Sequence, residues 1–87
     1  MNILVAGTVA IDDIKTPSST RAGLMGGSAA YAAMAASFFA PTRIVGIVGK
    51  DFPVEHINTL KQRAICTEGI EHSEGDSFYW SGEYHDN

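Results

Sequence analysis

Three small groups of residues have types and spacing that could do chemistry. Asp12 and Asp13 stand together at the end of an apolar run. A carboxylate there could accept hydrogen bonds from the paired hydroxyls of a sugar. Neighbouring strand residues point to opposite faces, so at most one of the two faces a pocket. The plain alternative is a solvated acidic turn. Gly26-Gly27-Ser28 precedes an Ala-rich segment. Two glycines allow close backbone approach, and a helix start presents free N–H groups to a phosphate, a carboxylate or sugar hydroxyls. The alternative is an ordinary strand-to-helix turn with Ser28 as N-cap. No Gly-Lys-Ser/Thr follows, and the glycine spacing is not the dinucleotide fingerprint. The third group is aromatic: Phe78, Tyr79, Trp80 and Tyr84. It could wall a ligand site or pack on another subunit. His56, His72 and His85 have no ligand spacing, and Cys66 is the single cysteine. Neither a metal cluster nor an internal disulfide is expected.

These groups need elements to hold them. Residues 2–6 are a continuous apolar run, which suits a strand buried on both faces of a parallel sheet. The strand is expected to reach residue 11. Residues 15–21 have loop composition, and residues 22–25 are a short strand. Residues 29–39 are rich in helix formers, and Pro41 and Thr42 end that helix. Residues 43–48 form a second apolar strand. Asp51 suits an N-cap and Pro53 a first-turn position, with Ile57, Leu60 and Ala64 following at helical spacing. Residues 67–72 are a weaker strand, and residues 73–77 are turn chemistry. Residues 78–84 alternate, with Phe78, Trp80, Gly82 and Tyr84 on one side, as in one strand of a hairpin. The predicted class is α/β, with residues 2–11 and 43–48 as neighbouring parallel strands and residues 28–39 as the crossover helix.

Composition narrows the function. The chain has 87 residues, so it holds one domain at most. At that size about 60–65% of the unfolded surface is buried, a marginal core. Net charge is −4 and the six Lys and Arg are scattered, which argues against nucleic acid. The longest apolar stretch, residues 29–40, falls short of the ~20 residues of a membrane span. No secretory signal opens the chain, so a cytoplasmic location and no membrane partner are expected.

Taken together, the segments ILVAGTVAIDDI, GGSAAYAA, RIVGIVGKD and PVEHINTLKQRAI resemble the ribokinase/PfkB family of carbohydrate kinases, in order and spacing, over nearly all of the chain. The resemblance implies the N-terminal part of a ribokinase-like parallel-sheet fold. Lid strands would lie near 12–25 and 70–87. Asp12 matches the family's aspartate that holds sugar hydroxyls. Gly26 and Gly27 would shape the floor of the substrate site, Ser28 and Tyr31 would line it, and Phe78 and Trp80 in FYWSGEYH would belong to the lid. The departures are Tyr31 where Asn is common, Ala40 where Gly is common, Ala64-Ile65 in place of a Gly-Val pair, and a segment after Ala40 shortened by one residue. Tyr31 argues against ribose itself.

The resemblance also implies what the chain lacks. The family's Gly-Ala-Gly-Asp motif, with its base and anion hole, lies far downstream, as does the ATP-binding half. The expectation is a fragment of an ATP-dependent kinase, with Mg²⁺, transferring the γ-phosphate to a hydroxyl of a sugar or nucleoside. It would carry part of the acceptor site and no catalytic or metal-binding residue. It would be inactive alone, with a homodimer through the lid strands as one form of assembly. Two other readings stay open: a small metabolite-binding module built on the diglycine turn, and an interaction domain whose aromatic strand pairs with another chain.

Overall fold

The computed structural model describes residues 2–83. Tyr84 and His85, discussed above, lie outside them. The elements run β1 (Ile3–Ala6), β2 (Ala10–Lys15), β3 (Thr20–Gly26), α1 (Ser28–Ala36), β4 (Thr42–Val48), α2 (Val54–Gln62), β5 (Ile65–His72) and β6 (Phe78–Glu83). They make two three-stranded sheets, ordered β1-β4-β5 and β3-β2-β6.

The first sheet is all parallel: β1 pairs with β4 from Ile3↔Thr42, and β4 with β5 from Thr42↔Ile65. One face carries α1 and α2. Ala29 and Ala33 of α1 and Leu60 of α2 join Ile44, Val48, Ile65 and Ile70 in one buried cluster. The alanines explain how the helix comes so close to the sheet. Ile65 and Ile70 are an odd number of residues apart, yet both are buried. A register shift in the β4–β5 pairing, between Arg43 and Val45, inserts the residue that brings Ile70 back to the core side. The opposite face shows Leu4 and Ile47, 65% and 59% exposed, with Val45 between them in the centre of the sheet.

The expected single strand over residues 2–11 is two strands in different sheets. The chain leaves the first sheet after Ala6, crosses at residues 7–9, and starts β2. Val9 and Ala10 are buried at this corner, so an unbroken apolar sequence conceals the break. The loop expected over 15–21 shrinks to a four-residue turn, closed by the Thr16 N–H to the Ser19 carbonyl at 2.7 Å. β3 then returns antiparallel to β2. Between Asp12 and Ile14 the register slips, and Gly23 adopts a left-handed φ of 69° there, as a bulge requires. His56 of α2 reaches this bulge, with Nε2 2.7 Å from the Gly23 carbonyl, so Nε2 carries the proton. β6 is no hairpin strand. It pairs parallel with β2, Ala10↔Phe78 through Lys15↔Glu83.

The helices are also trimmed. Gly27, not Ser28, is the N-cap of α1, and Ser28 is its first helical residue. The helix stops at Ala36 rather than 39, where Ser37 Oγ turns back to donate to the Met34 carbonyl at 2.7 Å. Phe38 beyond it lies under the Arg63 guanidinium, 3.9 Å from the ring centre. Pro53 is the N-cap of α2 and Asp51 stands outside the helix. Ala64, at φ 58°, is past its end.

Ile44 is fully buried at the centre of the first sheet. Ile44→Ala should cost about 2–5 kcal/mol, by lost burial and an unfilled cavity. A urea midpoint that moves by less than ~1 kcal/mol equivalent would show that the core lies elsewhere.

Candidate functional site

The corner at residues 7–9 is where the site is built. β3 brings Gly26 and Gly27 back against it. Gly27 has φ 92°, and a Cβ there would collide with the Thr8 carbonyl. The Ala29 N–H at the start of α1 donates to that same carbonyl at 2.9 Å. The diglycine is thus wedged into the chain's own crossing between sheets. This also uses one of the free donors that a ligand at the helix start would need.

Gly26 is bare for a second reason. It pairs with Ala10, and a Cβ on it would occupy the place of the Asp12 carboxylate. Asp12 is 8% exposed, and no hydrogen bond or ion pair to another described residue holds it. Its backbone pairs with Trp80 as Ala10 pairs with Phe78, so Asp12, Phe78 and Trp80 share one face of the second sheet. Phe78 and Trp80 are 64% and 43% exposed. The Trp80 indole lies across Gly82, where a Cβ would strike the ring. The space beside Gly82 is therefore filled by the strand's own tryptophan.

Beside this face a cleft of about 720 Å³ opens at the carboxyl ends of β1, β4 and β5. That is where open α/β sheets bind ligands. Its walls include Gly7, Thr8, Gly46, Glu71, Asp76, Ser77 and Phe78. Of the residues singled out in the sequence, Phe78 alone lines the cleft. Asp12 and the diglycine are not among its walls, though Gly27 lies against Thr8, which is. Ser28 and Tyr31 are exposed on the first turn of α1, outside the cleft walls, with Tyr31 59% exposed.

Several cleft residues went unnoticed in the sequence. Residues 73–77 looked like turn chemistry only. Gly46 carried a usable signal, because a lone glycine inside a strand marks close backbone approach. A Cβ there would sit 2.9 Å from the Val9 side chain.

Asp13 is turned to the opposite face. It accepts the Gly23 N–H at 2.7 Å and the Tyr79 hydroxyl. The Tyr79 hydroxyl, with help from the Gly23 N–H, holds the Asp13 carboxyl below its ordinary 3.8. Asp13 in turn holds the Tyr79 phenol above 10.0. Asp13 is thus occupied with structure, while Asp12 has no such bond among the described residues. Among the described residues no three His, Cys, Asp or Glu side chains could share a metal ion.

No family model matches the chain, and no curated protein matches it in sequence. Solved structures do. Ribokinase from Cryptococcus neoformans var. grubii, in complex with ADP, superposes with a TM-score of 0.78 at 19% identity, over 94% of this chain and 29% of that one. Fructokinase from Halothermothrix orenii gives 0.76 at 25% identity, over 93% and 34%. A nucleoside kinase of the ribokinase family from Methanocaldococcus jannaschii gives 0.74 at 20% identity, over 95% and 33%. The chain spans about a third of the length of these kinases.

The Asp13–Tyr79 pair sets a pH dependence. A carboxyl with a lowered folded pKa adds stability above about pH 3.8 that is lost as pH falls through the folded value. The raised phenol adds stability that is lost as pH rises through its own folded value, above 10.0. Tyr79→Phe should flatten both limbs of a plot of urea midpoint against pH. Limbs as steep as in the wild type would mean the pair does not form.

Proposed function

We propose, starting from a chain that has the ribokinase-like fold, that it supplies the acceptor-binding part of an ATP-dependent kinase acting on a sugar or nucleoside. The observation that carries this reading is Asp12. It is a nearly buried carboxylate without a partner among the described residues, set over Gly26, on the face that bears Phe78 and Trp80. A carboxylate accepts only, and two hydroxyls of a polyol offer the donors it lacks. The fructokinase and nucleoside kinase likenesses support the substrate class.

In this reading Asp12 fixes the acceptor by its hydroxyls, and the backbone of Gly26 and Gly27 lets it approach. The second sheet acts as the lid. Phe78 and Trp80 shield the reacting hydroxyl from water, as a kinase must to avoid hydrolysing ATP. Ser28 and Tyr31 would serve only a ligand that extends past the diglycine. ATP and Mg²⁺ would supply and activate the phosphoryl group on parts of the protein beyond these residues. The exposed Leu4 and Ile47 fit this picture, since a parallel sheet is ordinarily covered on both faces. The edge position and exposed aromatics of β6 also support a homodimer through the lid strands.

Two experiments test the reading. In the full-length kinase, Asp12→Ala should weaken acceptor binding by roughly 1–3 kcal/mol, the cost of charge-assisted hydrogen bonds, and Asp13→Ala by much less. Equal Michaelis constants for the two variants would remove Asp12 from the site. The 87-residue chain alone should show no turnover of ATP with any sugar or nucleoside in a coupled assay. Turnover above background would place the phosphoryl-transfer groups within this chain.

A further inference from the structure

β6 pairs parallel with β2, and a parallel pair has no tight turn to set its register. Register matters here, because a slip of one residue would put Tyr79 on the Asp12 face in place of Phe78 and Trp80. The setting comes from the residue just before the strand. Ser77, 8% exposed, donates its N–H to Asp51 Oδ1 at 2.7 Å, and its Oγ accepts the Gly49 N–H at 2.8 Å. Two further bonds clamp the same turns together: Lys50 N–H to the Gly75 carbonyl at 3.0 Å, and Ser73 N–H to the Val48 carbonyl at 2.8 Å. A Cβ on Gly49 would run into the backbone of residues 75–77. Asp51 and Gly49 belong to the turn after β4, in the first sheet; Ser77 leads into the second.

We propose that Asp51, acting through Ser77, is a positioning residue that sets the register of β6 and so places Phe78 and Trp80 beside Asp12. The Ser77 N–H, and after it the Ser77 hydroxyl, hold the Asp51 carboxyl below its ordinary 3.8, so it is ionised and accepts strongly at neutral pH. The consequence for ligand binding rests on the kinase reading of Asp12. The seating of β6 does not, and it is observable without a ligand.

The test is made on the whole chain, reading Tyr79 and Trp80. Tyr79 meets Asp13 only in the observed register, so its raised phenol titration reports that register. It is assigned by difference against Tyr79→Phe. Asp51→Ala should bring the phenol back to its ordinary value and raise acrylamide quenching of Trp80 about two-fold or more, as a strand that has lost its anchor frays. Asp51→Asn should behave as wild type, since its amide oxygen still accepts the Ser77 N–H. Should Asp51→Ala fail to fold, Ser77→Ala decides: it keeps the N–H bond to Asp51 and loses the contacts of the hydroxyl to Asp51 and Gly49, so the phenol should stay raised. A wild-type phenol titration in folded Asp51→Ala, or an ordinary one in Asp51→Asn or Ser77→Ala, overturns the proposal. Sugars and nucleosides that leave Trp80 emission unchanged in the wild type count against the kinase reading and leave the seat standing.

Discussion

The structure depends on one crossing. After four residues of strand the chain must leave the first sheet and begin a second, and the backbone at residues 7–9 has to be held while it does so. The Thr8 carbonyl provides the hold. It receives the Ala29 N–H, and only a residue without a side chain fits above it. Gly27 therefore follows directly on β3, caps α1 and is the spacer at the crossing. Everything placed near the candidate site is measured from this point: Val9 plugged over Gly46, Ala10 paired with Gly26, and Asp12 one pleat further along.

The second sheet has little core of its own. Ile11 of β2 and Met25 of β3 pack against the buried cluster of the first layer, and polar bonds join the two as well: His56 to the Gly23 carbonyl, and the turn after β4 to the turn before β6. Polar contacts of this kind add about 0.5–1.5 kcal/mol each and fix direction, while Ile11 and Met25 add apolar burial. The first sheet is the reverse case, with Ile44, Val48 and Leu60 fully buried and few polar side-chain contacts among them. The cleft lies where the two layers meet, walled by Val48 from one and Phe78 from the other.

Much of the first sheet was legible in the sequence because its strands are continuous apolar runs, as in residues 2–6 and 43–48, although the face with Leu4 and Ile47 is exposed rather than buried. The same signature hid the break after Ala6, since Val9 and Ala10 are buried too and periodicity cannot tell one sheet from another. The pairing of β6 was illegible for a related reason. Alternation reveals a half-exposed strand but not its partner, and the nearest strand in sequence, β5, lies in the other sheet. The opposite orientations of Asp12 and Asp13 followed from the pleat alone. The structural engagement of Asp13 did not, because Tyr79 and Gly23 reach it through contacts distant in sequence.

The parallel pairing of β2 with β6 has a bearing on the order of assembly. The hairpin of β2 and β3 leaves the ribosome early, while its third strand follows only after residues 27–77 have been made. Until then one edge of β2 has open main-chain groups, and nothing local can close it. The α/β layer must form first, for it carries the turn against which the last strand is laid. The aromatic strand is thus the last piece of this chain to dock, and the waiting edge of β2 is where a nascent or stressed molecule is most exposed to pairing with the wrong strand.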